Sequence, residues 1–245
     1  MGIRRKLVKK LKKLVYGDGY VLKKSSNLIL LLRASNHVDR ELLGRGGYEE
    51  EQVSEVIKII KNNDINYFVD VGANIGLYSL RVAKECAGVD RVFAIEAQIE
   101  NYNQLCGNIR LNNLDRVIDA RNIGASDQAG EIEFLVNKGS STGTSRIKET
   151  MPAGTNLRKF ESQMVPVDKM DNILKGIENR SLFFKIDVEG HERNVLLGMT
   201  EVLTNNHCFF QIEILDGDYE GIAAEFGLIK TGQKGNDTYF ESPLD

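Results

Sequence analysis

Short apolar runs of strand length alternate with longer segments of helical period, five times over, and this pattern limits the fold more than any other feature. Tyr67–Val71, Arg91–Ile95, Val117–Ile123, Ser181–Val188 and Cys208–Leu215 read as strands. Ile75–Cys86, Glu100–Asn112, Asp168–Ile177, His191–Leu203 and Asp218–Phe226 read as the helices between and after them. A further helix, Glu49–Lys61, precedes them and carries Val53, Val56, Ile57 and Ile60 on one stripe. Apolar strands joined through helices form a parallel sheet covered on both faces, with right-handed crossovers. The expected fold is therefore α/β, doubly wound and mostly parallel. A closing hairpin, Leu228–Thr231 with Thr238–Glu241, would supply an antiparallel edge strand. Glu131–Val136 alternates polar with apolar residues and reads as an added edge strand, and Met164–Val167 as a short strand. Residues 138–162 read as a polar loop. Residues 20–48 read as irregular, apart from a strand at Leu28–Leu32.

With 245 residues, one such domain fits, here residues 45–245 behind an extension of residues 1–44. The three cysteines, Cys86, Cys106 and Cys208, are odd in number and widely spaced, so neither a disulfide framework nor a zinc site is expected. A cytoplasmic location follows as the default. Charge is unevenly spread: residues 1–24 hold nine Lys/Arg against one Asp, and the remainder 23 against 34 Asp/Glu. In the first 15 residues Ile3, Leu7, Leu11, Leu14 and Val15 recur at helical spacing among Arg4, Arg5, Lys9, Lys12 and Lys13. This basic amphipathic helix has no uninterrupted apolar run, so it is not a secretory signal. Two roles stay open: peripheral contact with an anionic inner membrane surface, or packing against the domain or a partner chain. The run at 27–34 is too short to span a bilayer.

In parallel sheets a ligand sits beyond the carboxyl ends of the strands. The first strand ends VDVGANIG, residues 69–76, with Gly72 and Gly76 flanking a strand-to-helix turn. A dinucleotide fingerprint would need glycine at Asn74, and no phosphate-binding GKS or GKT loop exists. Asp70 in the turn opposes a pyrophosphate and suits a cation. The second strand runs into Glu96, a carboxylate placed to accept both hydroxyls of a ribose. A phosphate-free, positively charged nucleoside, S-adenosylmethionine, meets both demands. The competing view is that Asp70 and Glu96 are solvated strand-end acids.

VDVGANIG, the FAIEA strand end, IGASDQAGEIEF, VPVDKMDNIL and FFKIDVEGHERNVLLG occur in that order and together resemble the FkbM family of class I methyltransferases. The resemblance spans about residues 45–215, and KIDVEGHE is its most specific stretch. It implies a seven-stranded sheet, S-adenosylmethionine as donor, and an acceptor hydroxyl on a glycan or polyketide. It implies that Asp70, Gly72 and Asn74, with the Gly76 turn, hold the donor's amino-acid end and that Glu96 holds the ribose. Gly124, Ala125, Ser126 and Asp127 would border the adenine, with Asp127 accepting from its amino group; a turn-forming role for Asp127 stays open. Two departures stand out: Ala97 replaces the proline that often follows the strand-end Glu, and residues 1–44 have no clear counterpart.

Asp187, Glu189, His191 and Glu192 crowd the end of an otherwise apolar strand. Methyl transfer to oxygen needs the acceptor placed in line and its proton removed. His191, Glu189 and Asp187 are the candidate bases; a carboxylate that only orients a hydroxyl, or a His191 that faces solvent, remains an alternative. Glu213, ending the next strand, faces the same crevice and would bind the acceptor. Asp187, Glu189 and Glu213 suit a hard divalent cation, but nothing in their spacing demands one, so no metal is assigned. Lys185, on the buried strand, is expected to pair with an acid or snorkel. The loop at 139–146 offers Ser145 and Arg146 for acceptor selection, or is a solvated connection. His37 and His207 have no evident partner.

The leading reading is thus a methyltransferase acting on a small-molecule or glycan hydroxyl. Transfer to nitrogen or another acceptor, and a donor-binding scaffold without turnover, are the alternatives. A nicotinamide dehydrogenase is disfavoured by Asn74. A nucleic-acid partner is not expected, because the acidic remainder lacks an Asn-Pro-Pro-Tyr-type motif. Oligomeric state is not legible.

Overall fold

The computed structural model describes residues 19–25, 27–34, 36–45, 47–137, 145–152, 154–214 and 217–243. The basic segment 1–15 and most of the 139–146 loop lie outside the described residues. The described elements are β1 (Tyr20–Ser25), β2 (Leu28–Arg33), α1 (His37–Arg45), α2 (Glu50–Asn62), β3 (Tyr67–Val71), α3 (Leu77–Glu85), β4 (Arg91–Ile95) and α4 (Ile99–Leu111). There follow β5 (Ile118–Arg121), β6 (Gly124–Ala125), β7 (Gly130–Asn137), β8 (Arg146–Ile147), β9 (Phe160–Asp168), α5 (Met170–Ile173) and β10 (Ser181–Ile186). The chain ends with α6 (Glu192–Leu197), α7 (Thr200–Asn205), β11 (His207–Glu213), α8 (Tyr219–Phe226), β12 (Ile229–Lys234) and β13 (Asp237–Glu241).

The main sheet has seven strands in the order β12-β13-β11-β10-β3-β4-β5. β5, β4, β3, β10 and β11 pair in parallel, as the alternation predicts. The sheet is mixed, and the antiparallel strand is not at its edge: β13 lies between β11 and β12. The hairpin's second strand carries Tyr239 and Phe240, both buried, so it takes the inner position, while half-exposed β12 takes the edge. Period-two alternation builds a core on each face. Phe68 and Phe183 stack at 5.9 Å on one, and Phe184 and Phe210 at 5.3 Å on the other. Burying each such ring contributes about 1.5–3 kcal/mol.

Four expected elements are corrected. Glu131–Val136 is not an edge of the main sheet. It belongs to a second, four-stranded sheet, β6-β9-β7-β8, whose β9 reaches back into the stretch read as loop. The helix expected over Asp168–Ile177 shrinks to α5. The helix expected over His191–Leu203 breaks into α6 and α7 at Gly198, where a Cβ would lie 2.1 Å from the Ser126 carbonyl oxygen. Finally, β1 and α1 occupy the stretch read as irregular, on either side of β2, which is the strand expected at Leu28–Leu32. Leu28, Leu30, Leu32, Val38 and Leu42 are buried in the core shared with α2, α3 and α4. β2 docks on side-chain amides of α4: the Asn112 and Asn108 carbonyl oxygens accept from Ile29 N and Leu31 N, and Gln104 donates to the Leu31 carbonyl. These three residues stand one turn apart, so one helix face imitates a neighbouring strand.

Candidate active site

A cavity of about 240 Å³ opens at the carboxyl ends of β3, β4, β10 and β11. Its first wall is the Gly72–Gly76 turn. Gly72 has φ +83°, and a Cβ there would sit 2.0 Å from the Asp187 carbonyl oxygen, so only glycine lets β3 and β10 end side by side. Asn74 follows at φ +52°, and its Oδ1 is buried without a hydrogen-bond partner. Glu96 is 7% exposed and accepts from Asn74 N and Gln98 N, both at 2.8 Å. The Asn101 side chain adds a third hydrogen bond, and the carboxylate still keeps acceptor capacity for a ligand. Burial pushes the Glu96 carboxyl up to about 7 against the pull of these amides.

Asp70 and Gly76, expected at the ligand, do not line the cavity. Asp70 is buried behind it, accepting from Ser79 N and Oγ in the first turn of α3, with Oδ1 unpartnered. Gly76 makes room for α4, since a Cβ would meet Leu105 at 2.4 Å. Gly124 and Ala125 line the wall beyond Glu96, but Ser126 and Asp127 do not. Asp127 is bonded within the protein through Oδ1. It accepts from Ser126 Oγ at 3.0 Å and from Asn194 at 3.3 Å; burial is outweighed by these bonds and its carboxyl stays low.

The opposite wall carries paired charges. Lys185 on β10 sits in register between Asp70 and Gln211, 4.9 Å over the Tyr78 ring, and donates to Asp187 at 2.9 Å. Burial works against its charge, yet the Asp187 and Asp70 carboxylates keep it protonated well above the usual range. Burial likewise works against the Asp187 charge, but Lys185 holds its carboxyl low. Glu213 hydrogen-bonds Asp187; burial and the Asp187 charge raise its carboxyl to about 8, so at neutral pH Glu213 keeps its proton.

Glu189 follows in a left-handed conformation, φ +57°, which is costly for a residue with a Cβ. The Glu192 carboxylate holds this turn by accepting from Val188 N and Gly190 N. Glu189 faces the cavity and pairs with Arg146 of β8. Burial, partly offset by Arg146, raises it to about 7. His191 is 8% exposed, so it does not face bulk solvent. Because Ser126 donates its hydroxyl proton to Asp127, His191 Nε2 at 2.9 Å must be the donor to Ser126, which leaves Nδ1 as acceptor. Burial lowers the imidazole, against the charges of Asp127 and Glu149. Ser145 lines the cavity and accepts from Asn137 N. Among the described residues no three His, Cys, Asp or Glu side chains are grouped to hold a metal.

Tyr48, Glu49, Tyr78 and Gln98 line the cavity without having been singled out in the sequence. Glu49 read as the first residue of an amphipathic helix, and nothing local marks its φ of +51°.

A family model described as the Methyltransferase FkbM domain matches residues 70–233. The chain belongs to the FkbM methyltransferase family. This FkbM chain is 29% identical over 177 residues to hexuronic acid methyltransferase AglP of Haloferax volcanii, a match covering 69% of the chain and 63% of that relative. The chain thus spans less than two thirds of the relative's own length. Among solved structures, Methyltransferase FkbM from Methylobacillus flagellatus KT superposes with a TM-score of 0.46 and 18% identity, over 73% of this chain and 43% of that one. A human methyltransferase 10 domain-containing protein superposes with a TM-score of 0.50 and 9% identity, over 97% and 93%. That likeness is one of fold. No helix among the described residues is long and apolar enough to cross a membrane.

Proposed function

We propose that this FkbM-family chain transfers a methyl group from S-adenosylmethionine to a hydroxyl of a saccharide or related metabolite. One observation carries the reading: a single cavity joins Glu96, its carboxylate fixed by two main-chain amides, to the acid-rich wall of Asp187, Glu189 and Glu213. The residues present fit the donor. Glu96 keeps lone pairs for a ribose, Gly124 and Ala125 leave room for a flat base, and the unpartnered Asn74 Oδ1 offers an acceptor beside them. The hexuronic acid acceptor named for the Haloferax relative supports a sugar here.

Bound there, the donor supplies an electrophilic methyl group on a sulfonium. Asp187, ionised, accepts the proton of Glu213 in a hydrogen bond, and the lone pairs left on the two carboxyls accept from sugar hydroxyls. Glu189 takes the proton of the attacking hydroxyl, its carboxyl being poised near neutrality, where a base is most effective. Arg146 orients Glu189, and the Nδ1 of His191 accepts from a second hydroxyl. Membrane contact through residues 1–15 belongs to the same proposal, whereas residues 28–42 share the core of the domain and are part of it. Calorimetry with S-adenosylhomocysteine, followed by turnover with a panel of mono- and oligosaccharides, tests it. No heat from a folded sample, or donor binding without methylation of any hydroxyl, ends the reading.

A further inference from the structure

Glu49 precedes the stretch matched by the family model, which begins at residue 70. It is nonetheless part of the cavity wall, together with Gly72, Asn74 and Lys185. Three facts fix it there. The helix it opens, α2, is anchored in the core by Val53, Val56, Ile57 and Ile60, each at most 7% exposed. Its backbone is left-handed, a conformation that asparagine or glycine would adopt more cheaply. Its Oε2 accepts from the Tyr78 hydroxyl at 3.0 Å, and Tyr78 stands in the first turn of α3, directly after the Gly72–Gly76 turn.

The charge balance at this end of the cavity is uneven. Glu49, Asp70 and Asp187 surround Lys185, whose ammonium is already bonded to Asp187. Burial raises the carboxyls of Glu49 and Asp70, and with Lys185 bonded to Asp187 a second cation entering from the cavity would favour their ionised forms. Glu96, Gly72, Tyr78 and Glu49 line the same cavity, so a donor with its ribose on Glu96 shares that space with Glu49.

We infer that Glu49, contributed from outside the matched domain, binds the ammonium group of the donor's amino-acid arm. The inference rests on the proposed donor. It separates Glu49 from Glu96, because one holds the amino-acid arm and the other the ribose of the nucleoside.

The test is calorimetric titration of the full chain and of Glu49→Gln with two ligands: S-adenosylhomocysteine, and 5′-methylthioadenosine, which keeps the nucleoside and thioether but lacks the arm. Glu49→Gln is expected to weaken S-adenosylhomocysteine about tenfold, the worth of one charge-assisted hydrogen bond, and to change methylthioadenosine less than about twofold. Tyr78→Phe, which removes one of the two tyrosine hydroxyls bonded to the carboxylate and leaves that of Tyr48, should give a smaller loss with the same ligand selectivity. Equal losses for both ligands, or none for either, overturn the role of Glu49. Should Glu49→Gln fail to fold, Tyr78→Phe and Glu49→Asp decide by the same selectivity. A wild-type chain that binds neither ligand removes the donor reading and this inference with it, whereas wild-type binding without selectivity in the variants removes the inference alone.

Discussion

The two ends of the cavity are built on different principles. At the Glu96 end the carboxylate is positioned by main-chain amides of Asn74 and Gln98, from the turns after two adjacent strands. At the Asp187 end, side chains position side chains: Lys185 holds Asp187, Asp187 shares a proton with Glu213, and Arg146 reaches Glu189 across 43 residues of sequence. Main-chain donors stay in place when a side chain is exchanged. Paired side chains do not, because each sets the protonation of the next.

The largest break is expected from Lys185→Met. It leaves buried Asp70 and half-buried Asp187 without a counter-ion, and losing the partner of a buried charge costs up to about 3–5 kcal/mol, readable as a lowered urea midpoint at pH 7. A loss below about 1 kcal/mol would show that the acids are neutral without it. Next comes Glu189→Gln, expected to lower kcat about a hundredfold or more while S-adenosylhomocysteine still binds. If donor affinity falls equally, the two ends are not separable. Glu96→Ala should do the converse, weakening the donor about ten- to a hundredfold with the thermal midpoint little changed.

The smallest change at neutral pH is expected from Glu213→Gln, and it sharpens the comparison through pH. Glu189 must be ionised to act as base, so kcat/KM should rise with pH until about 7. Glu213 must keep its proton to bond Asp187 and hold the acid pair together, so kcat/KM should fall above about 8. Glu213→Gln supplies a donor that cannot ionise. It should leave the acid limb in place and remove the alkaline one, and an unchanged bell would assign that limb to another group.

Legibility in the sequence follows the same division. The turn at Gly72, the acid at Glu96 and the cluster from Asp187 to His191 were visible because each lies at the end of an apolar run whose period announces a strand. The assignments of Asp70, Gly76 and Asp127 to the ligand rested on adjacency to that turn and to the third strand's end. Strand pleat and helix packing instead direct Asp70 to Ser79, Gly76 to Leu105 and Asp127 to Asn194. The strand β2 is legible as an apolar run, but its pairing with β1 and its docking are not, for a related reason: β2 rests on a row of amides on α4, some 75 residues away, and no local pattern encodes it.

From the order of its residues alone, this chain is committed to a parallel α/β sheet with a glycine turn and a strand-end carboxylate, since hydrophobic period and backbone sterics act between near neighbours. Tertiary structure decided the place of β13 inside the sheet, the arrival of Glu49 at the cavity and which carboxyls keep their protons. Those depend on burial and on Coulomb interactions between residues far apart along the chain, and such distances exist only once it has folded.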